Sequence, residues 1–161
     1  MFFKNKNNEE IGKICNNIYD ISLHITERIN NILINYGYSS NVQEHKPLFI
    51  SITSMYCYYF FEAVLKKYYN YDDKKCFKII YLLLEELSSH LGNVTFEQTF
   101  KAYMDVKNIL NYPPNDDLEE FVSINYLIMA IELEQDEVET KLLLDIYGEF
   151  NSIIKNIYKI L

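Results

Sequence analysis

Tryptophan is absent from the 161-residue sequence, arginine occurs once, and glycine and proline number only four and three. With Arg28 as its one guanidinium and no basic stripe, the chain is poorly equipped to grip a phosphate backbone, and nucleic-acid binding is not expected. The few Gly and Pro residues fall between periodic segments, where they punctuate helices. Cysteine is limited to Cys15, Cys57 and Cys76, odd in number and without a CxxC pair. Each lies in an apolar stretch, which reads as a buried free thiol in a reducing compartment.

Histidine is equally sparse: His24, His45 and His90. Asp20 and Glu86 precede His24 and His90 by four residues, the spacing of ordinary helix-surface pairs. The doubled Glu-x-x-His of a di-iron bundle is missing, as are H-E-x-x-H, an EF-hand ligand run and a glycine-rich phosphate loop. No metal, no cofactor and no catalytic centre are therefore expected. The start, MFFKNKNNEE, lacks the apolar run of a signal peptide. The end, IIKNIYKIL, is too short and too charged for a membrane anchor.

Apolar residues make up 49% of the chain, enough for one core without disulfides or metal. One domain over 1–161 is expected, with residues 1–8 outside its ordered part and a polar loop over 37–46. The net charge of -8 is unevenly placed: residues 113–150 hold 11 acids and one base, Lys141. Such a block is a solvated acidic face, a docking surface for a basic partner, or a nucleic-acid mimic.

Six to seven helices and no strand are read from the periodicity. The first runs from Glu9 to Tyr36 on a stripe of Ile11, Ile14, Ile18, Ile21, Ile25, Ile29, Ile32 and Tyr36, and Gly37 ends it. Pro47 opens the second, in which Glu62 is the sole charge between Leu48 and Leu65. That run raises the question of a membrane span, but Ser51, Thr53, Ser54 and its aromatic residues favour a helix enclosed by others.

Asp72 and Asp73 cap the third helix, whose face is Cys76, Ile80, Leu83, Leu84, Leu87 and Leu91, and Gly92 closes it. Thr95 with Gln98 forms a capping box for the fourth, with Phe96, Phe100, Tyr103, Met104, Ile109 and Leu110 apolar; Pro113 and Pro114 stop it. Asp116 with Glu119 opens the fifth. Asp136 with Glu139 opens the sixth, which directs Val138, Leu142, Ile146, Phe150, Ile153, Ile157 and Ile160 inward.

Three stretches, in order, resemble the Bcl-2 family. Ile32 to Ser39 (ILINYGYS) is similar to the end of the first family helix, with its Gly-Tyr before a loop. Leu84 to Phe96 (LEELSSHLGNVTF) resembles the join of the fourth and fifth family helices, a Glu-Glu-Leu followed by Asn-Trp-Gly-Arg. Ile146 to Phe150 (IYGEF) sits where the family has a Gly-Gly-Trp-like turn. The likeness covers about residues 20–158. Asn93 stands where the family has its ligand-pairing arginine, Leu91 replaces the Trp, and the second helix lacks Leu-x-x-x-Gly-Asp. Such erosion resembles the viral, poxvirus-type members.

The resemblance implies a Bcl-2-like bundle with the 94–111 helix at its centre. It implies a viral inhibitor of apoptosis that sequesters the BH3 helices of Bim, Bak and Bax in an apolar groove. The implied location is the host cytoplasm or the mitochondrial surface, and a homodimer is compatible. The implied groove has Tyr56, Tyr59, Phe60, Leu83, Leu87, Phe96 and Phe100 as walls. Gly92 would admit the ligand backbone and Asn93 would donate in place of the arginine. The alternative is an acidic helical immunity, anti-defence or innate-signalling inhibitor acting by protein contact.

Overall fold

The computed structural model describes residues 8–111, 118–133 and 138–157, and among them every regular element is a helix. The order is α1 (Asn8–Asn35), α2 (Ser39–Glu44), α3 (Lys46–Tyr69), α4 (Asp73–Leu91), α5 (Phe96–Leu110), α6 (Leu118–Ile131) and α7 (Thr140–Ile157).

Local chemistry explains most of the boundaries. The Asp72 side chain accepts from the Lys75 amide at 2.8 Å and starts α4. Gly92 ends α4 with a positive φ of 69°, which glycine adopts without a Cβ clash. Thr95 and Gln98 exchange side-chain and backbone hydrogen bonds at 2.9 and 3.2 Å, a complete capping box for α5. Pro47 lies in the first turn of α3, and Asn70 closes that helix in the left-handed region.

The core follows from α3. Its apolar side chains run round the whole circumference, with Phe49, Met55, Tyr56, Cys57, Tyr58, Phe61 and Leu65 all buried. A helix apolar on all sides must be surrounded, and α3 packs against each of the other six. This corrects the resemblance, which puts 94–111 at the centre. Helix α5 cannot take that place, because Glu97, Gln98, Lys101, Asp105 and Asn108 form an exposed polar face. Instead α5 lies against α3, α4 and α6. No helix among the described residues is long and apolar enough to cross a membrane.

The remaining differences are local. The expected 37–46 loop contains α2, fastened by the buried Val42 where α2 meets α1, α3 and α6. One apolar residue in a polar stretch gives no periodicity to read. Helix α7 starts at Thr140, so Val138 and Glu139 precede it. The expected caps at Asp116 and Asp136, with Pro113, Pro114 and Ile160, lie outside the described residues. Gly148, read from the resemblance as part of a turn, lies within α7.

Polar groups inside the bundle are paired. Thr53 Oγ1 and Tyr126 Oη are 2.8 Å apart, Ser123 Oγ donates to the Leu143 carbonyl at 2.7 Å, and Cys15 Sγ lies 3.3 Å from Tyr58 Oη. Among the described residues no buried side-chain nitrogen or oxygen lacks a partner. The three cysteines are free and buried.

Candidate functional site

The residues expected to form one groove divide between the core and the surface. Tyr56 and Phe60 of α3 point into the core, where their rings lie 5.0 and 6.0 Å from that of Phe150 on α7. Tyr56 also meets Tyr126 edge-on at 5.2 Å and aims its hydroxyl at the Val122 carbonyl. Leu83 and Leu87 are fully buried among core side chains. These four are core residues in this structure and line no open surface, which corrects their assignment as groove walls. The physical reason is the central place of α3, which turns the faces of its neighbours inward. Tyr59 is half-buried, with its hydroxyl 3.5 Å from the Leu110 carbonyl.

Phe96, Phe100, Gly92 and Asn93 fall elsewhere, together. Gly92 and Asn93 form the exposed turn between α4 and α5, and Phe96 and Phe100 stand half-buried on the α5 face beside α4. There they meet two residues that sequence reading passed over. Phe77 and Tyr81 are 47% and 39% exposed, unusual for rings of that size in contact with one another.

The four rings form a continuous cluster. Phe77 meets Phe100 edge-on at 6.0 Å, and Tyr81 meets Phe96 at 4.6 Å. Phe96 and Phe100 stack at 5.8 Å, and Phe77 and Tyr81 are 6.2 Å apart. Rising numbers on α4 pair with falling numbers on α5, so the helices run antiparallel and the rings form a stripe along their seam. Leu82 is 41% exposed on α4, and Leu91 and Met104 are half-buried on α4 and α5. The signal in the sequence was a second stripe: Phe77 and Tyr81 repeat at i, i+4 beside the core positions Cys76, Ile80, Leu84 and Leu87.

A largely buried charge cluster joins the same two helices, α4 and α5, to α3. Glu62 of α3 accepts hydrogen bonds from Lys107 at 2.7 Å, from Lys66 at 3.0 Å, and from the Tyr103 hydroxyl. Lys66 also reaches Asp73 at 2.7 Å. Burial pushes the Glu62 carboxyl upward, but the hydrogen bonds from Lys107, Tyr103 and Lys66 outweigh it and hold the group below its ordinary value. The cluster ties the starting turn of α4 and the later half of α5 to the central helix.

Other sequence candidates remain apart. His90 bonds to Asn16 of α1, and no three His, Cys, Asp or Glu side chains gather as a metal set among the described residues. In the described part of the acidic block, Glu149 pairs with Arg28 at 3.4 Å and Asp145 accepts from Tyr36 at 3.1 Å. The chain matches no family model, and no curated protein or solved structure matches it.

Proposed function

We propose that this chain is a non-catalytic binding protein that captures an amphipathic helix on the α4–α5 seam. The observation that carries the reading is the four-ring stripe of exposed Phe77 and Tyr81 with half-buried Phe96 and Phe100. A helix presenting apolar residues at i, i+3, i+4 and i+7 matches such a stripe. Aromatic anchors in a contiguous apolar patch supply most of the affinity at interfaces of this kind.

The likeness of Leu84 to Phe96 to the Bcl-2 family makes BH3 helices the first ligands to consider, while the central place of α3 argues against that family's arrangement. The Gly92-Asn93 turn, within that stretch, closes one end of the stripe. On this reading the protein sequesters pro-apoptotic proteins such as Bim, Bak and Bax in a host cytoplasm or at the mitochondrial surface. The docking face on this reading is the α4–α5 seam, with Phe77 and Tyr81 taking the place of the four core residues.

Calorimetric titration with BH3 peptides of about 25 residues tests this. The expected result is low-micromolar or tighter binding to at least one peptide, weakened tenfold or more by Phe100→Ala or Phe77→Ala. Absence of heat with a broad panel at tens of micromolar rejects the BH3 assignment.

A further inference from the structure

The charges beside the aromatic stripe are sorted by position. Lys74 and Lys78 precede Phe77 and Tyr81 by three residues, which places each lysine on the same side of α4 as its ring. Both are exposed and neither makes an ion pair among the described residues. Glu85 follows Tyr81 by four residues and continues the α4 stripe toward the Gly92-Asn93 turn. Glu97 precedes Phe100 by three residues at the start of α5, beside the same turn. Glu85 and Glu97 are likewise exposed and unpaired among the described residues. Lys101, the remaining charge near Phe100, is neutralised by Asp105 at 2.8 Å.

The antiparallel pairing of α4 and α5 turns this spacing into a gradient. Phe77 sits opposite Phe100 and Tyr81 opposite Phe96, so Lys74 and Lys78 mark one end of the stripe and Glu85 and Glu97 the other. At the basic end, Lys66 and Lys107 are already engaged by Glu62 and Asp73. Lys75 lies over the Tyr71 ring at 5.5 Å, so among the described residues beside the stripe Lys74 and Lys78 are the lysines left to meet a ligand.

We infer that the α4–α5 seam orients its ligand. The occupant is an amphipathic helix with acidic residues at its N-terminal end, against Lys74 and Lys78, and basic residues at its C-terminal end, against Glu85 and Glu97. This rests on the helix-capture reading above and adds direction to it. Acids near a helix N-terminus and bases near its C-terminus also suit the helix dipole, so the ligand that fits the rim is one that forms readily. Complementary rim charges select orientation and partner, while the rings hold the helix.

The probe is a synthetic amphipathic helix of about 20 residues, with leucines at helical spacing, glutamates in its first turn, lysines in its last and a nitroxide at its N-terminus. Line broadening of backbone amides reads where the label sits. With the wild-type protein, amides near 74–78 are expected to broaden. With the variant Lys74→Glu, Lys78→Glu, Glu85→Lys, Glu97→Lys, broadening is expected to move to amides near 92–97.

Reversing only Lys74 and Lys78 is expected to weaken the peptide roughly five- to thirtyfold at low salt, with the difference shrinking as salt is added. If the label broadens the same end in both proteins, or both ends alike, the orienting role is overturned while helix capture stands. If the peptide does not bind, or binds equally well to Phe100→Ala, the capture reading falls and the orientation falls with it.

Discussion

Glu62 and Lys107 meet at 2.7 Å across the α3–α5 interface, with the carboxylate almost wholly buried and the lysine one-fifth exposed. The pair is the meeting point of three donors on one acceptor, and it ties α5 to the central helix. Removing one member of a buried pair leaves the others without a partner, which costs more than the pair contributes to stability. Lys66 and Lys107 retain access to water, so the loss is moderated. Glu62→Gln is expected to lower stability by about 2 kcal/mol in urea unfolding. A loss below about 0.5 kcal/mol would show that the cluster does not hold α5 in place.

The same carboxyl predicts a pH dependence of definite sign. Its folded value lies below its ordinary 4.5, so its contribution is fully present above that value. It is lost as the pH falls through the lower, folded value. The gap in stability between wild type and Glu62→Gln should therefore be flat above about pH 5.5 and narrow steadily below 4.5. A gap that widens on acidification contradicts the assignment.

The split of the expected groove into core and surface can be measured directly. Leu83 is fully buried and Phe77 is 47% exposed. Leu83→Ala is expected to cost about 2–5 kcal/mol, the range for an emptied core site. Phe77→Ala, which leaves water where water already reached, is expected to cost about 1 kcal/mol or less. If the two costs are equal, the face described here is not a surface. A useful corollary is that only the Phe77 change is suited to probing binding, since Leu83→Ala would report on folding.

How much of this was legible in the sequence depended on the kind of signal. Caps were legible because their chemistry is local: Asp72, Gly92 and the Thr95–Gln98 box need only a few neighbouring residues to act. The enclosed position of α3 was also legible, from an apolar run broken only by Glu62. There the residues pointed one way and the family likeness another, and the bundle follows the residues. Helix α2 left no trace, since its one buried side chain, Val42, is fixed by three other helices. The aromatic face was half legible. Phe96 and Phe100 were identified, but which stripe of α4 would face inward is decided by α1 and α3, and that left Phe77 and Tyr81 unassigned.

The three thiols provide a chemical check on the core. Burial pushes Cys57 up to about 12 and Cys15 and Cys76 up to about 11, from an ordinary 9.0. At pH 8 the native protein should show almost no reaction with a disulfide reagent, and three thiols should appear on unfolding in urea. Because the folded values are raised, the stability these neutral thiols contribute is complete below 9.0 and is lost as the pH climbs through about 11 to 12. Buried Tyr56 and Tyr58, also raised by burial, act with the same sign. Unfolding in alkali should thus begin above the ordinary thiol range. Rapid modification of a native thiol at pH 8 would mean that the core opens on the timescale of labelling.

Gly92 and Gly148 should respond oppositely to alanine. At Gly92 the φ of 69° is one that a Cβ disfavours, and the turn it makes carries the chain from α4 into α5. Gly92→Ala is expected to destabilise by about 1 kcal/mol and to disturb the register of Tyr81 against Phe96. Gly148 lies inside α7, exposed, with nothing within 4 Å of where a Cβ would stand. There glycine only adds backbone freedom to the unfolded chain, so Gly148→Ala is expected to stabilise by about 0.5–1 kcal/mol. Thermal unfolding of the two variants decides between helix and turn at 146–150. Were Gly148 the pivot of a turn, as its likeness to the Gly-Gly-Trp motif suggests, alanine there would lower the midpoint instead of raising it.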